Sequence, residues 1–388
     1  MHVIVIGAGL VGLATSWRLR AAGAEVTVVD PAPACGATHA AAGMLAPVAE
    51  TYYREEALGR LGLASATTYP AFVDEVGAAL GRDRGEVGYR DTRTLIVGAD
   101  AADRGSLGDL FDLTIGLGLS MERLTTQQAR RLEPLLSPTL SCAFLVEGDH
   151  QVDPRVLARA LLEALPGAGA EFVERRAAAV TASAGAVSGV RLDDGTHLRA
   201  DRVVLTAGVG ARAVDGTGVD LRNALRPVYG DVLRLDAPAS LRGQVTGTIR
   251  ALVAGKPAYL VPRADGSLVL GATSREDGNP RVSAGGVHEL LRDAIRLLPA
   301  LAEFALVETV ARARPGTPDN APLLGPLPVA GLVAATGTYR NGILLAPAVA
   351  DAVAHMLGLD VESPLPDLSP FDPTRFTRPH ASRTKESA

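Results

Sequence analysis

Lysine is almost missing from this 388-residue chain, which places only Lys256 and Lys385 among its 38 basic residues. A Schiff-base lysine would have to be one of those two poor candidates, which disfavours pyridoxal chemistry. Cysteine is equally scarce. Cys35 and Cys142 lie far apart and form neither a C-x-x-C pair nor a disulfide framework, so reduced thiols and a cytoplasmic setting are expected. The seven histidines include no H-x-x-x-H and no His/Cys cluster, so no metal site is expected. No run of about 20 apolar residues is present to span a bilayer, and no membrane partner is expected. The N-terminal apolar run is broken by glycines and has no basic region before it; it reads as a strand rather than a signal peptide. A net charge of −5 with no basic stripe argues against nucleic acid.

What is present is a soluble, globular composition, 47% hydrophobic and 21% charged, on a chain long enough for two domains. Val3-Ile-Val-Ile6 is a β-branched run typical of a buried parallel strand. Leu13 to Ala22 reads as a helix closed by Gly23, and Glu25 to Asp30 as a second strand, completing a βαβ unit. Residues 55 to 81 read as mostly helical, and residues 86 to 145 give a mixed pattern containing a strand at Thr94–Val97. Asp153 caps a helix that opens at Pro154. Strand signals follow at 171–173, 187–192 and 202–206, then at 232–235, 259–262 and 268–270. Helices are predicted from His288 to Leu298 and from Ala346 to Leu357.

The pattern predicts an α/β chain, α+β overall, with interleaved domains. Residues 1–85, 146–224 and 309–360 would form a Rossmann-like nucleotide-binding domain. Residues 86–145 and 225–308 would form a smaller substrate domain, and 361–388 a loose tail.

The chemistry starts at Gly7-Ala8-Gly9-Leu-Val-Gly12. Gly7 permits the tight turn, Gly9 a close approach of backbone to pyrophosphate, and Gly12 the packing of helix on strand. The helix N-terminus offers free N–H groups and a partial positive charge to phosphates. Asp30 ends the second strand at the spacing of a ribose-binding acid, and no Arg follows it to welcome a 2′-phosphate. The small residues of Ala40-Ala-Ala-Gly-Met44 would let a planar ring lie against backbone; taken alone they could equally be a tightly packed helix start.

Several segments together resemble the FAD-dependent D-amino-acid oxidase superfamily: Gly7–Gly12, Thr38–Pro47 and Thr206-Ala-Gly208. Ala258-Tyr-Leu-Val-Pro-Arg263, Gly271-Ala-Thr273, Arg314–Asp319 and Gly337–Pro347 resemble more specifically the glycine oxidases of bacterial thiamine biosynthesis. The likeness covers about residues 1 to 358. It implies a Rossmann-like FAD domain, a smaller antiparallel-sheet domain over the flavin, and a homo-oligomer, often a tetramer.

The resemblance implies non-covalent FAD, touched by Gly7, Ala8, Gly9, Gly12, Asp30, Thr38, Ala41, Ala42, Gly43 and Met44. The backbone of Ala178, then Ala207 and Gly208, and finally Tyr339, Arg340, Asn341, Gly342 and Ile343 would complete that set. Arg314 would clamp the substrate carboxylate through two parallel hydrogen bonds, with Arg340, Tyr259 and Met44 beside it. Hydride would pass to the flavin with no obligatory side-chain base, and oxygen would leave as hydrogen peroxide. Glycine, sarcosine and small D-amino acids are the expected substrates, with glyoxylate and ammonia or amine as products. The chain departs from the pattern at Tyr229-Gly-Asp231, at Ser274 and at Pro257-Ala258, positions expected to shape the pocket wall.

Overall fold

A computed structural model describes residues 1–376. Two large sheets organise it. The first has six strands, in the order Leu323–Pro326, Leu332–Thr336, Arg202–Leu205, His2–Ile6, Glu25–Val29 and Glu171–Val173. All neighbours in it are parallel except the first pair, which is antiparallel. Its strands are short and apolar because both faces are covered. Leu10–Ala21, Pro154–Gly167 and Ala346–Met356 pack on one side, where Leu10, Leu13 and Leu19 are at most 1% exposed. Each such leucine contributes about 1.5–3 kcal/mol through burial.

The second sheet has eight strands, in the order Ala305–Gly316, Arg226–Asp236, Leu268–Gly271, Lys256–Pro262, Thr248–Val253, Thr94–Gly98, Cys142–Val146 and Glu122–Leu124. It is antiparallel throughout except where Thr248–Val253 lies parallel to Thr94–Gly98. One face packs Leu233, Ile249, Leu260 and Leu270 against Leu290, Ala294 and Leu297 of the helix Ala284–Leu297. The opposite face turns toward the nucleotide-binding sheet. The mixed α/β architecture expected from sequence is the one observed.

Several boundaries differ from expectation. The first helix begins at Leu10, three residues early, because Gly9 serves as its N-cap and Gly12 lies inside it. Ala101–Gly116 is a helix that the mixed pattern of 86–145 concealed; Asp100 and Asp103 close a capping box at its start. The expected junction at 309 falls inside the strand Ala305–Gly316, which belongs whole to the eight-stranded sheet through eleven paired positions with Arg226–Asp236. The expected loose tail is packed as far as it is described. Phe371 is fully buried, Leu365 and Leu368 lie on the main core, and Arg375 pairs with Asp319 at 2.9 Å. The rest of that expected tail, 377–388, lies outside the described residues.

Candidate active site

The strand His2–Ile6 hands over to the helix Leu10–Ala21 through a turn that only glycine allows. Gly7 has φ +107°, and a Cβ there would stand 2.6 Å from the Ala207 Cα. A Cβ on Gly12 would stand 1.9 Å from the Gly7 carbonyl oxygen. Asp30 is fixed by two N–H donors, Ala8 to Oδ2 at 2.7 Å and Ala32 to Oδ1 at 2.8 Å. Each oxygen keeps a lone pair for a ribose hydroxyl. Thr38 accepts the Leu10 N–H at 2.9 Å and so ties the second loop to the helix start. Gly9, Leu10 and Val11 line a cavity here, at the end of a helix where first-turn N–H groups lack internal partners. This cradle of glycine backbone, helix terminus and oriented carboxylate fits the ADP half of FAD.

The cavity continues for about 490 Å³ between the two sheets. Its middle is lined by Ala40, Ala41, Ala42, Gly43 and Met44; Ala40 and Ala42 are packed in one apolar cluster with Val232, Val261, Val269 and Val310 of the eight-stranded sheet. Gly43, with φ +76°, brings its chain so close to the next strand that a Cβ would lie 1.9 Å from the Val152 oxygen. This flat wall of small residues, supported by valines, suits a planar ring.

Beyond it stand the polar residues. Sheet register sets them side by side: Arg250 opposite Tyr259, Tyr259 opposite Gly271, and Val228 opposite Arg314. Two glycines give them room. A Cβ on Gly230 would meet Arg314 Nη1 at 2.4 Å, and one on Gly271 would meet Tyr259 Oη at 2.3 Å. The guanidinium and the phenol therefore lie flat across the sheet. Arg314 donates to the Thr273 carbonyl at 3.2 Å, lies within hydrogen-bonding reach of the Tyr259 phenol, and lines the cavity. Burial pushes the Tyr259 phenol up against the opposing pull of Arg314 and Arg340, so it stays a neutral donor.

Arg340 sits at the mouth, donating to Tyr52 Oη at 3.2 Å, with its guanidinium 5.8 Å from the Tyr339 ring centroid. Burial opposes its charge, but Tyr52 and Glu50 outweigh burial and raise it. Glu50 and Arg250 form an ion pair in the wall, each side chain 13% exposed. Arg250 likewise resists the cost of burial because Glu50 and Tyr52 hold it charged.

Most residues singled out from the sequence meet on this one cavity: Gly7, Gly9, Asp30, Thr38, Ala41 to Met44, Ala207, Gly208, Tyr259, Arg314, Tyr339, Arg340, Gly342 and Ile343. Four stand off it. Ala8 is buried and reaches the site only by holding Asp30. Gly12 packs helix on turn. Ala178 belongs to a separate three-stranded sheet, and its carbonyl accepts from Asp215 N at 3.0 Å. Asn341 donates its N–H to Thr338 and borders a smaller neighbouring cavity. Glu50, Arg250 and Arg312 line the site without having been anticipated. The alternation of buried Ile249, Ala251 and Val253 puts Arg250 on the opposite face, and that was its only signal. Pro257, Ala258 and Tyr229 do line the cavity, as expected of a wall. Asp231 does not. It is fully buried, joined to Arg275, Thr273 and Ser283, and steadies the loop whose Thr273 carbonyl Arg314 uses.

Residues 2–356 match the family of FAD dependent oxidoreductases called DAO. The chain belongs to that family. It is an FAD-dependent oxidoreductase, and FAD is its cofactor. It is 34% identical over 379 residues to the bifunctional protein ThiO/ThiG of Synechocystis sp., covering 96% of this chain and 54% of that protein. The chain thus spans about half the length of the bifunctional relatives that it matches. The glycine oxidase of Geobacillus kaustophilus is 32% identical, with 96% of each chain covered. A crystal structure of glycine oxidase from that organism superposes with a TM-score of 0.85 over 96% of this chain and 98% of the other, at 30% identity. Among the described residues, no helix is long and apolar enough to cross a membrane.

Proposed function

We propose that this protein oxidises glycine, and with it sarcosine and small D-amino acids, to glyoxylate and ammonia or amine. The observation that carries this reading is the joint placement of Arg314 across Gly230 and Tyr259 across Gly271, at the far end of the cavity that begins in the dinucleotide cradle. FAD held by the Gly7–Gly9 turn, Asp30 and Thr38 would supply the two-electron acceptor chemistry, with oxygen as the final acceptor and hydrogen peroxide as the by-product. The protein supplies position. Arg314 pairs a carboxylate through two parallel N–H bonds, and the neutral Tyr259 phenol adds a third donor. No side-chain base is assigned. A role in thiamine (thiazole) biosynthesis follows from the resemblance at Arg314–Asp319 and Gly337–Pro347. The enzyme would work in the cytoplasm as a homo-oligomer, a tetramer by the same resemblance.

A second reading has its own support. Besides Arg314 the cavity is lined by Arg250, Arg312 and Arg340, more guanidinium than one carboxylate requires, and Glu50 is paired with Arg250. A related oxidase or dehydrogenase acting on another D-amino acid or a secondary amine would use that excess. One experiment separates the two. The purified, flavin-loaded protein is mixed without oxygen with glycine, sarcosine, D-alanine or iminodiacetate, and its visible bands are followed. Bleaching by glycine, with recovery and peroxide on admitting air, is the expected result. Bleaching by iminodiacetate alone moves the assignment to the second reading, and recovery with a dye but not with air marks a dehydrogenase.

A further inference from the structure

Arg263 closes the segment Ala258–Arg263, yet nothing in the proposed reaction uses it. It follows the strand Lys256–Pro262 on the same face as Tyr259 and Val261, since alternate residues of a strand share a face. Tyr259 serves the substrate end, Val261 lies in the apolar cluster with Ala40 and Ala42, and Arg263 comes next, 6% exposed. Its Nη2 donates to the Ala42 carbonyl at 2.7 Å, and Nη1 reaches Gln151 Oε1 at 3.4 Å and the Val152 carbonyl at 3.5 Å. Asp153 Oδ2 lies 3.3 Å from Nε. Burial depresses the guanidinium to about 10, which still leaves it charged near neutral pH.

A trans peptide points its C=O and N–H in opposite directions. Drawing the Ala42 oxygen toward Arg263 therefore turns the Gly43 N–H the other way. Ala42 and Gly43 are buried and line the cavity, and neither N–H meets an acceptor among the described residues. Buried N–H groups left without partners are rare in proteins and point to a ligand acceptor. These donors lie between the dinucleotide cradle and the Arg314 end, in the stretch suited to the flavin ring.

We infer that Arg263 is a positioning residue for the flavin: it aims the Ala42–Gly43 peptide at the ring and, through that polarised peptide, stabilises the reduced cofactor. A cation on the carbonyl side strengthens the N–H on the other, and a stronger donor favours the form of the ring that carries more negative charge. The inference rests on FAD binding and not on the choice of substrate.

The test uses chemical photoreduction of the full-length holoprotein, so substrate identity plays no part. Arg263→Gln keeps a donor and removes the charge. Its bound flavin should be about tenfold harder to reduce, which for a two-electron couple is a midpoint lower by about 30 mV. Arg263→Lys restores the charge but cannot span three acceptors; it should regain most of the potential while binding FAD at least tenfold more weakly. An unchanged midpoint in Arg263→Gln, with Lys binding FAD as tightly as the parent, overturns the inference. If Arg263→Gln fails to fold, the affinity of Arg263→Lys decides alone, wild-type FAD affinity being the refuting result. Loss of glycine activity with midpoint and affinity unmoved in both variants also refutes it.

Discussion

The two ends of the cavity are built in opposite ways. The dinucleotide end comes from one contiguous stretch, where Gly7, Gly9, Gly12 and Asp30 sit within a single βαβ unit and act through backbone and one fixed carboxylate. The substrate end is assembled from residues 50, 230, 250, 259, 271, 314 and 340, brought together by the register of an antiparallel sheet and by loops from outside that sheet. Backbone recognition needs local shape, which a short motif encodes. Side-chain recognition needs convergence, which only long-range pairing supplies.

That contrast can be broken at either end. The largest effect is expected for Arg314→Ala: kcat/KM for glycine should fall about a hundred- to a thousand-fold, the ~3–4 kcal/mol typical of removing one partner of a desolvated charge pair. FAD should stay bound, because the dinucleotide end is untouched; co-elution of flavin with the variant checks this, and loss of flavin would show the two ends to be coupled. Second comes Arg250→Met. It strands Glu50 in the wall at a cost of about 3 kcal/mol in unfolding free energy by urea, and adding Glu50→Gln should recover most of it.

Gly12→Ala attacks the other end. Its Cβ would collide with the Gly7 carbonyl, and overpacking of that kind costs about 1–3 kcal/mol. Weaker FAD binding, by tenfold or more in equilibrium dialysis, is the expected outcome, with the fold kept by circular dichroism. Smallest for turnover is Asp149, a buried carboxyl that accepts the Val48 and Ala49 N–H groups and that burial raises to about 7. Its folded value lies above the ordinary 3.8, so the native state holds the proton more tightly. Its contribution to stability is then fully present below about pH 4 and is lost as pH rises toward 7. Asp149→Asn should flatten that part of the Tm-against-pH curve; an unchanged slope would show that Asp149 is ionised in the native state.

Much of the cofactor end was legible in the sequence because its signals are local. The strand–helix–strand order came out as expected, with the helix at Leu10–Ala21 where Leu13–Ala22 was expected and the second strand ending at Val29, one residue before Asp30. Legibility fell where the signal was long-range. Arg250 gave no motif, one more arginine in an arginine-rich chain, until strand pairing set it beside Tyr259. Ala178, set against FAD through its backbone by resemblance, lies in a separate three-stranded sheet and does not line the cavity. The segment 361–376 looked loose from its proline and charge, but Phe371 and Leu368 find cover on the core.

The sequence by itself determined the cofactor cradle, since glycines and an acid at fixed spacing dictate a turn and its hydrogen bonds within some thirty residues. The tertiary structure alone decided that Arg250 and Arg312 also face the cavity. It also decided that Gly230 and Gly271 are the floor on which Arg314 and Tyr259 lie, and that Asp231 supports the wall from behind. Those outcomes depend on the register between strands tens of residues apart, and one residue of slip would turn every such side chain to the opposite face.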